Sequence, residues 1–595
     1  SANATLTPLK GLSINGLVSL KYTNGNSWSF NNTLDPINDF LTGKPITSTQ
    51  KVQNDMLEYW RKRRELLTQV TTDYERTFGK HYGKLTVGAS QESNTYRTAF
   101  VGRKNFPNND MTTVVSGSSN PEDINSDDDG QANRSNQQDW AMRSVFGRFN
   151  YAFNDKYLLE VNTRIDYSSR FRKDIRRAVF PSFSAGWNVS KEDFMKNVDW
   201  INNLKLRGSW GSLGNQDVVS IGNYFDLLNT GYQYSFEEAP QGGVWSAKIA
   251  NPLATWEKVY MTDLGIDLSM FNGKLDITTD YYIKNTKDLL MRVPALATSG
   301  VNTSTTDAIN SGLPLSNGAA TQNKGFELAI THNNKIGSDF TFSIGGNLSI
   351  IKSTITKLGD GSETFDGRFI QKVGESIGSF YGYESEGLFV DAADVTNHAF
   401  QTATTKAGDI KYKDLNGDNL IDASDRKIIG NNVPWLNYGF NLNATYKGFD
   451  FSVLTYGVAK VKTYLSEEAA YPFFNGANVK EQWLNRWTTA NPDPNADFPR
   501  ILTTAAGAHN YNPTSSFWLF SGAYFRVRGI TLGYTIPQDV TKRIGLAKLR
   551  IYGTANNPFT FMADKRLADY DPESDSGRGG YPGIKTWSIG LSAGF

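Results

Sequence analysis

A run of oxygen-bearing side chains is the clearest chemical signal in the sequence. Counted from Asp414, side-chain oxygens stand at loop positions 1, 3, 5, 9 and 12, and Leu420 stands at position 7. Calcium takes about six to eight oxygen ligands, and EF-hand loops supply them at this spacing, with a backbone carbonyl at position 7. We therefore predict a structural Ca2+ site in a long loop. The predicted ligands are Asp414, Asn416, Asp418, Leu420, Asp422 and Asp425.

Two features of this loop depart from the EF-hand pattern. Gly417 stands at position 4, whereas Asn419 holds the place of the usual glycine, and Asp425 replaces the bidentate glutamate. Asparagine tolerates left-handed backbone geometry, so the turn can still form. The spacing is closer to the dockerin variant than to a sensor hand. A solvated acidic turn without metal is the alternative.

Other charged clusters carry weaker signals. We expect the run Asp127 to Gly130 to be a solvated loop. The cluster Arg61 to Arg64 is predicted just before a strand, as a solvated loop end or a rim facing lipopolysaccharide. The four histidines are scattered, and the sequence has no HExxH, phosphate-binding GxxxxGK[ST] or nucleophile-elbow motif. These observations argue against an enzyme.

Composition excludes several classes of protein. The 595 residues carry 61 Lys and Arg against 60 Asp and Glu, which gives a formal charge of +1. A net charge this close to zero does not indicate a nucleic-acid-binding protein. The chain has no cysteine, which excludes disulfide scaffolds and thiolate metal sites. It starts at Ser1, so we expect any targeting segment to have been removed or to lie upstream.

Hydrophobic residues alternate with polar residues along most of the chain. Leu264, Ile266 and Leu268 alternate with Asp263 and Asp267, and the last nine residues follow the same pattern. Asn272-Gly273 separates two such runs and predicts a β-hairpin. Period-two alternation over about sixteen segments predicts an all-β protein.

The connections between these segments alternate in length. The predicted short turns lie near residues 78–82, 153–156, 271–274, 333–339 and 447–449, with longer ones near 190–203 and 537–545. The predicted long loops cover 24–64, 97–141, 213–256, 288–322, 352–435, 460–517 and 559–583. Short turns on one side and long loops on the other are typical of outer-membrane β-barrels.

Membrane physics explains such an arrangement. Every backbone polar group in hydrocarbon needs a partner, so a membrane sheet closes into a barrel, with its apolar face toward lipid and a wet polar lumen. On this reading Ile266 faces lipid and Asp267 the lumen, and Arg526 and Arg528 lie beyond the hydrocarbon or past a bulge. A β-sandwich, with the apolar face against a second sheet, is the alternative.

Four segments resemble a known protein family in their amino-acid sequence. They are NPLATWEKVYMTDLGIDLSMFNGKLDITTDYYIKNTKDLL (251–290), GDIKYKDLNGDNLIDASDRKIIG (408–430), GAYFRVRGITLGYTIP (522–537) and the terminal WSIGLSAGF. They closely resemble the SusC/RagA type of TonB-linked (TonB-dependent) outer-membrane transporters of Bacteroidota. The resemblance is strong over 190–595 and weaker over 12–189.

The resemblance implies a fold and a cellular location. Members have a 22-stranded barrel, an internal plug and an N-terminal segment that contacts TonB. Residues 1–595 would be the C-terminal part of one such barrel in the cell outer membrane, with the loops 352–435 and 460–517 extracellular. The plug and the coupling segment are not recognisable in this sequence.

The resemblance also implies a function and partners. The chain would take part in TonB-dependent uptake of oligosaccharides or peptides, with a SusD-like surface lipoprotein as a lid and the TonB complex acting through the absent N-terminal region. Outer-membrane lipid surrounds the barrel, and transporter–lipoprotein pairs would assemble as dimers. A passive porin or a structural barrel in an envelope assembly is the alternative. Aromatic residues such as Tyr232, Tyr234, Phe236 and Trp245 do not identify the cargo.

Overall fold

The dominant element of the molecule is one antiparallel sheet. The computed structural model describes the chain except residues 125–134, 218, 220, 222, 226, 237–238, 293–297, 299–312, 360, 477, 568 and 575–582, and it describes only the backbone of 227–234 and 245–248. Within the described residues the sheet has seventeen strands, close to the predicted number. They are β1 (Ala2–Leu9), β2 (Leu12–Asn31), β3 (Asp55–Phe78), β4 (His81–Lys104), β5 (Ser135–Phe153), β6 (Tyr157–Ser168), β7 (Arg177–Asn188), β8 (Ile201–Asn215), β9 (Glu257–Met270), β10 (Leu275–Arg292), β11 (Leu315–Ile336), β12 (Phe340–Lys357), β13 (Leu436–Tyr446), β14 (Phe449–Ala459), β15 (Tyr524–Thr535), β16 (Lys548–Met562) and β17 (Thr586–Gly594).

Each strand pairs with its neighbours in chain order. The pairing runs without interruption from β1 to β17. Among the described residues, the two end strands β1 and β17 are not paired with each other. This meander lets short local turns set the register of the sheet.

The predicted short turns are confirmed. Two residues join β3 to β4 and two join β13 to β14, whereas the connections 189–200 and 536–547 on the same side are longer. In the hairpin between β9 and β10, Asn272 and Gly273 both have positive φ angles, of 62° and 74°. These two residue types adopt left-handed geometry at low cost, which explains their place in the turn.

Several strands are longer than the sequence predicted. Residues 24–31, 55–64, 97–104 and 135–141 were expected in loops, but they extend β2, β3, β4 and β5. These segments lack the alternation of apolar and polar residues by which the other strands were predicted, because a strand above the membrane has no lipid-facing apolar row. The cluster Arg61 to Arg64 therefore lies inside β3, and its predicted place before a strand is wrong.

The two faces of the sheet differ as predicted. Leu264 is 62% exposed and Ile266 41% exposed, and the same holds for the apolar row of most other strands. The charged residues Asp263, Asp267 and Asp280 lie on the opposite face, where they contact Arg207. Because no second sheet among the described residues covers this exposed apolar face, the β-sandwich is excluded, and the face fits a surface immersed in lipid.

The connections between the strands of the large sheet contain additional short elements, most of them on the long-loop side. Short strands form at Ile37–Asn38, Pro45–Ile46, Leu227–Phe236, Ala239–Lys248, Thr364–Asp366, Phe369–Gln371, Ser379–Tyr383, Ser385–Leu388, Ile410–Tyr412, Arg426–Asn431, Lys462–Tyr464 and Leu519–Ser521. The α-helices are Ala392–Asn397, Ala508–Tyr511 and Gln538–Thr541. Single 3-10 turns are Thr47–Thr49, Val114–Ser116, Pro121–Asp123, Val189–Lys191, Asp193–Met195, Ala423–Asp425, Glu467–Ala469, Phe474–Gly476, Glu481–Asn485, Ser516–Trp518, Lys542–Ile544 and Lys565–Leu567.

These helices are all short. None of them, in the part of the chain that the structure describes, has the length and apolar character needed to cross a membrane.

The largest buried core lies in the loops. Side chains from 369–421, 464–520 and Leu567 pack together there, and Trp483, Trp518, Tyr511, Phe498 and Ile410 are almost completely buried. Residues 352–435 and 460–517 were predicted as long loops. The structure shows instead that they fold jointly, because each contributes aromatic residues that the other covers.

Candidate functional site

The acidic segment 414–425 forms a compact loop at the edge of this core. The carboxylate of Asp414 accepts hydrogen bonds from the backbone N–H groups of Gly417 (2.7 Å) and Asn419 (2.9 Å). Asp418 accepts one from the N–H of Leu420 at 2.8 Å. Asn419 has a φ of 65°, so it adopts the left-handed geometry expected of it. The tight turn that the spacing required is therefore present.

The end of the loop is fixed by two further aspartates. Asp425 is fully buried and accepts hydrogen bonds from the N–H groups of Leu415 (2.8 Å) and Asp422 (2.9 Å). Asp422 in turn caps the 3-10 turn Ala423–Asp425 by accepting from the N–H of Ser424 at 2.8 Å. Asp425 thus holds both ends of the loop together.

The electrostatics of the loop favour charged carboxylates. Desolvation works to raise the pKa of Asp414, but the N–H groups of Gly417 and Asn419 outweigh it and lower the pKa below its usual value. The hydroxyl and N–H of Ser424 lower the pKa of Asp422. Oxygen donors of this kind suit calcium. In the described part of the chain no group of three or more His, Asp or Glu is arranged around a metal position, so calcium stays a prediction.

A buried ionic junction joins the two loops that form the core. Asp409 is fully buried, and Arg500 donates to both of its oxygens, at 2.7 and 3.0 Å. His509 Nε2 lies 2.9 Å from the same carboxylate, and Asn510 donates to it at 2.8 Å. Burial would raise the pKa of Asp409, but its bonds with His509, Arg500 and Asn510 lower it below the usual value. The charge is fully satisfied, as buried charges must be.

The inner face of the sheet carries a charged network. The guanidinium of Arg207 on β8 contacts Asp263 (3.3 Å) and Asp267 (3.2 Å) on β9, and reaches across β9 to Asp280 on β10 at 2.6 Å. Gly265 makes this reach possible, because a Cβ there would lie 2.4 Å from Arg207 Cζ. One cation shared by three carboxylates marks a face in contact with water.

Arg526 and Arg528 were predicted to lie beyond the hydrocarbon or past a bulge, and the structure has a bulge at this point of β15. The register of β15 against β16 shifts between Val527 and Gly529, so Arg526 leaves the row of Leu532. Arg526 points inward, is 3% exposed, and donates to Asp571 at 2.8 Å and Glu573 at 3.1 Å. Arg528 contacts the same Glu573. Both charges are therefore kept away from lipid.

Some candidate residues cannot be placed. The run Asp127 to Gly130 lies outside the described residues, as do the side chains of Tyr232, Tyr234 and Trp245. Phe236 is 64% exposed. His81 and His332 lie on β4 and β11, whereas His398 and His509 belong to the folded loops, with His509 at the Asp409 junction.

Sequence reasoning missed the Asp409 junction. Its members are separated by about a hundred residues, and neither segment has a motif that marks it. One signal was available, namely the concentration of Trp483, Trp487, Phe498 and Trp518 in a segment that was otherwise treated as polar. Aromatic residues at that density predict burial.

Together these features define a class of protein. An antiparallel meander with an exposed apolar face, a charged inner face, short turns on one side and folded loops on the other is the wall of an outer-membrane β-barrel. The family comparison agrees, since residues 3–558 match the family described as TonB dependent receptor-like, beta-barrel. The chain belongs to this family, whose members are outer-membrane transporters and not enzymes.

Comparison with individual proteins identifies relatives of the chain within this family. It is 30% identical over 553 residues to "TonB-dependent receptor P3" of Formosa agariphila, covering 88% of this chain and 51% of that protein. It is 29% identical over 466 residues to "TonB-dependent receptor SusC" of Bacteroides thetaiotaomicron, covering 76% of this chain and 43% of that one. The chain thus spans about half the length of the curated relatives it matches.

A solved structure shares the fold. The RagAB peptide importer in its open-open state superposes with a TM-score of 0.80 at 20% identity, covering 100% of this chain and 60% of that chain. The predicted SusC/RagA type is therefore confirmed.

Proposed function

We propose that this chain forms the barrel wall of an energised importer that takes up oligosaccharides or peptides across the outer membrane of a member of the Bacteroidota. The observation that carries the proposal is the sheet itself, with a lipid-facing row outside and a wet, charged face inside. Its membership of the TonB-dependent family and its likeness to SusC support the same proposal. Coupling to TonB is provided by a segment outside the 595 residues.

The folded loops suit a surface partner. The core around Trp518 and the Asp409 junction hold residues 352–435 and 460–517 in one arrangement, and rigid loops lose little entropy when a partner docks. A SusD-like lipoprotein binds these loops on the extracellular side and acts as a lid, and two such pairs associate as a dimer. Affinity purification of the full-length protein from native outer membranes, followed by electron microscopy, tests this. An equimolar lipoprotein seated on the two loops is expected, and density elsewhere would contradict it.

Calcium stabilises the acidic loop in this proposal. The side chains of Asp414, Asn416, Asp418, Asp422 and Asp425, with the Leu420 carbonyl, hold the ion, which stiffens the loop and takes no part in chemistry. The support is the spacing of the oxygens and the turn at Asn419.

The calcium site is tested by titrating chelator-treated full-length protein with calcium chloride. We expect calorimetric binding and a higher Tm, both lost in Asp418→Asn and retained in Asp366→Asn, an exposed loop aspartate outside the segment. An amide keeps the acceptor for the Leu420 N–H, so the variant changes charge more than shape. Equal behaviour of the two variants, or no calcium response at all, would favour the solvated acidic turn.

Energised import is tested in the native bacterium. Uptake of a labelled oligosaccharide or peptide mixture is compared in the wild type, a strain lacking the gene, and the wild type treated with a protonophore. We expect loss of accumulation in both of the last two. Uptake that persists with protonophore but needs the gene would identify a passive porin instead.

A further inference from the structure

A cavity on the inner face of β2 to β5 has no role in the preceding sections. It has a volume of about 630 Å³, which is in the range of small-ligand sites. The wall strands supply Lys21 and Thr23 from β2, Arg61, Arg63 and Glu65 from β3, Asn94 and Tyr96 from β4, and Gln138 and Trp140 from β5. Arg170 and Ile221 close it from the neighbouring loops.

The strand register places these wall residues on one face. Lys21 is paired with Glu65, and Glu65 with Asn94. Arg63 lies opposite both Thr23 and Tyr96 in the same ladders. The alternate residues of β3, among them Leu66 and Val70, form the exposed apolar row that faces outward. The cavity therefore opens toward the interior, where cargo would pass.

The charge of the cavity is strongly positive. Four cations line it, Lys21, Arg61, Arg63 and Arg170, against the single carboxylate of Glu65. Glu65 is shared by Lys21 at 3.3 Å and Arg63 at 3.1 Å. Among the described residues Arg61 has no ion pair. Asp217 adds a second carboxylate through its contact with Arg170, but two carboxylates do not neutralise four cations, so the cavity attracts anions.

Arg170 is held in place by aromatic and backbone contacts. Its guanidinium lies 5.3 Å from the Trp140 ring centroid, and Nη1 donates to the carbonyl of Val219 at 2.9 Å. Its one carboxylate contact, Asp217 at 3.4 Å, is to a side chain that is 75% exposed. In the described part of the molecule the buried Nε of Arg170 has no hydrogen-bond partner. A guanidinium fixed in this way is prepared for a planar or tetrahedral anion.

The other lining groups indicate what carries the negative charge. Trp140 and Tyr96 offer aromatic faces, and Thr23, Asn94 and Gln138 offer hydroxyl and amide groups that both donate and accept. Sugar rings present C–H faces that can pack on the aromatic rings, and hydroxyls that can hydrogen-bond to the hydroxyl and amide groups. Of the lining residues that the structure describes, Ile221 alone is aliphatic, so this cavity offers little apolar surface to the side chains of an ordinary peptide.

From these observations we infer that the cavity binds acidic oligosaccharides, in which carboxylate or sulfate groups contact the Arg61–Arg63–Arg170 cluster and a sugar ring packs on Trp140. The inference rests on the proposed import function and names the substrate class at this part of the wall. It also gives a role to the basic cluster of β3, whose inward members are Arg61 and Arg63. The outward members, Lys62 and Arg64, mark the point where β3 leaves the lipid.

The test measures binding by the purified full-length protein in detergent. The probes are tetragalacturonate for the carboxylate arm, a sulfated tetrasaccharide for the sulfate arm, maltotetraose as the neutral sugar and tetraglutamate as the acidic peptide. We expect an acidic sugar to bind more tightly than maltotetraose and tetraglutamate, with affinity that falls as salt rises.

Two variants of adjacent residues provide the matched comparison. Arg61→Gln removes an inward charge, and we expect it to weaken acidic-sugar binding by about tenfold, the usual size of a charged hydrogen bond. Lys62→Gln removes the same charge from the outward face of the same strand, and the affinity should stay within about twofold of wild type. Trp140→Leu should weaken the acidic sugar more than it weakens tetraglutamate.

Three results would overturn the inference. They are equal effects of Arg61→Gln and Lys62→Gln, no preference for acidic over neutral sugar, and tighter binding of tetraglutamate, which would indicate an acidic-peptide site. Binding in detergent needs no energy, so it is independent of the uptake assay. Acidic-sugar binding without energised uptake would contradict only the proposed function, whereas energised uptake with unselective binding would contradict only this inference.

Discussion

Two neighbouring threonines allow a sharp test of which face of the sheet meets lipid. Thr279 on β10 lies between Ile266 and Leu328 of the adjacent strands, in the apolar row. Thr278 lies between Asp267 and Ala329, on the charged face. The substitutions Thr279→Arg and Thr278→Arg change the same residue type to the same residue, one position apart. Only the face that receives the charge differs.

The expected magnitudes follow from the position of these residues. At about 3.4 Å per residue and a tilt near 45°, Thr279 lies roughly 10 Å along the membrane normal from the start of β10. An arginine on the lipid face near the bilayer midplane costs about 2 to 4 kcal/mol. An arginine at 278 would meet water and the carboxylate of Asp267, so we expect a change of less than about 1 kcal/mol.

The assay is reversible denaturant unfolding of the full-length protein in phospholipid vesicles, monitored by tryptophan fluorescence. The free energy of unfolding is compared between the two variants and the wild type at one lipid composition. We expect the free energy of unfolding to fall in Thr279→Arg and not in Thr278→Arg. Equal losses in the two variants, or a larger loss in Thr278→Arg, would refute the assignment of faces.

Three further predictions concern charge and packing. The folded-state pKa of Asp409 is lowered, so its contribution to stability is complete above the ordinary value of 3.8 and is lost as pH falls through the folded value. Hydrogen exchange of the loop core should therefore accelerate below about pH 4, and Asp409→Asn should destabilise the core by about 3 kcal/mol even at neutral pH. Trp518→Ala should cost the loop core about 3 to 5 kcal/mol, seen as protease cleavage in the loops while the wall stays folded. Arg207→Met leaves three carboxylates facing one another, so we expect a lower Tm that Asp280→Asn partly restores in the double variant; an additive loss would contradict the shared network.

Much of the wall could be predicted because its determinants are local. Alternation in segments such as 263–283 fixes which side chains share a face, and Asn272-Gly273 fixes the hairpin between them. The cost of placing a charge in lipid left two positions for Arg526, beyond the hydrocarbon or past a bulge, and the structure has the bulge. Alternation is required only where a strand contacts lipid. The upper parts of β2 to β5 lie beyond the lipid, so they were predicted as loops.

The sequence by itself therefore determined the lipid-facing parts of the strands, the faces of the sheet and the turn at Asn419, since each follows from residues within a few positions of one another. Only the tertiary structure decided how the loops fold and how the cationic cavity forms. Asp409 meets Arg500 and Asn510 across about a hundred residues, and Arg170 joins Trp140 from another connection. Such contacts depend on which chain segments the strand ladder brings together, and no local pattern encodes that proximity.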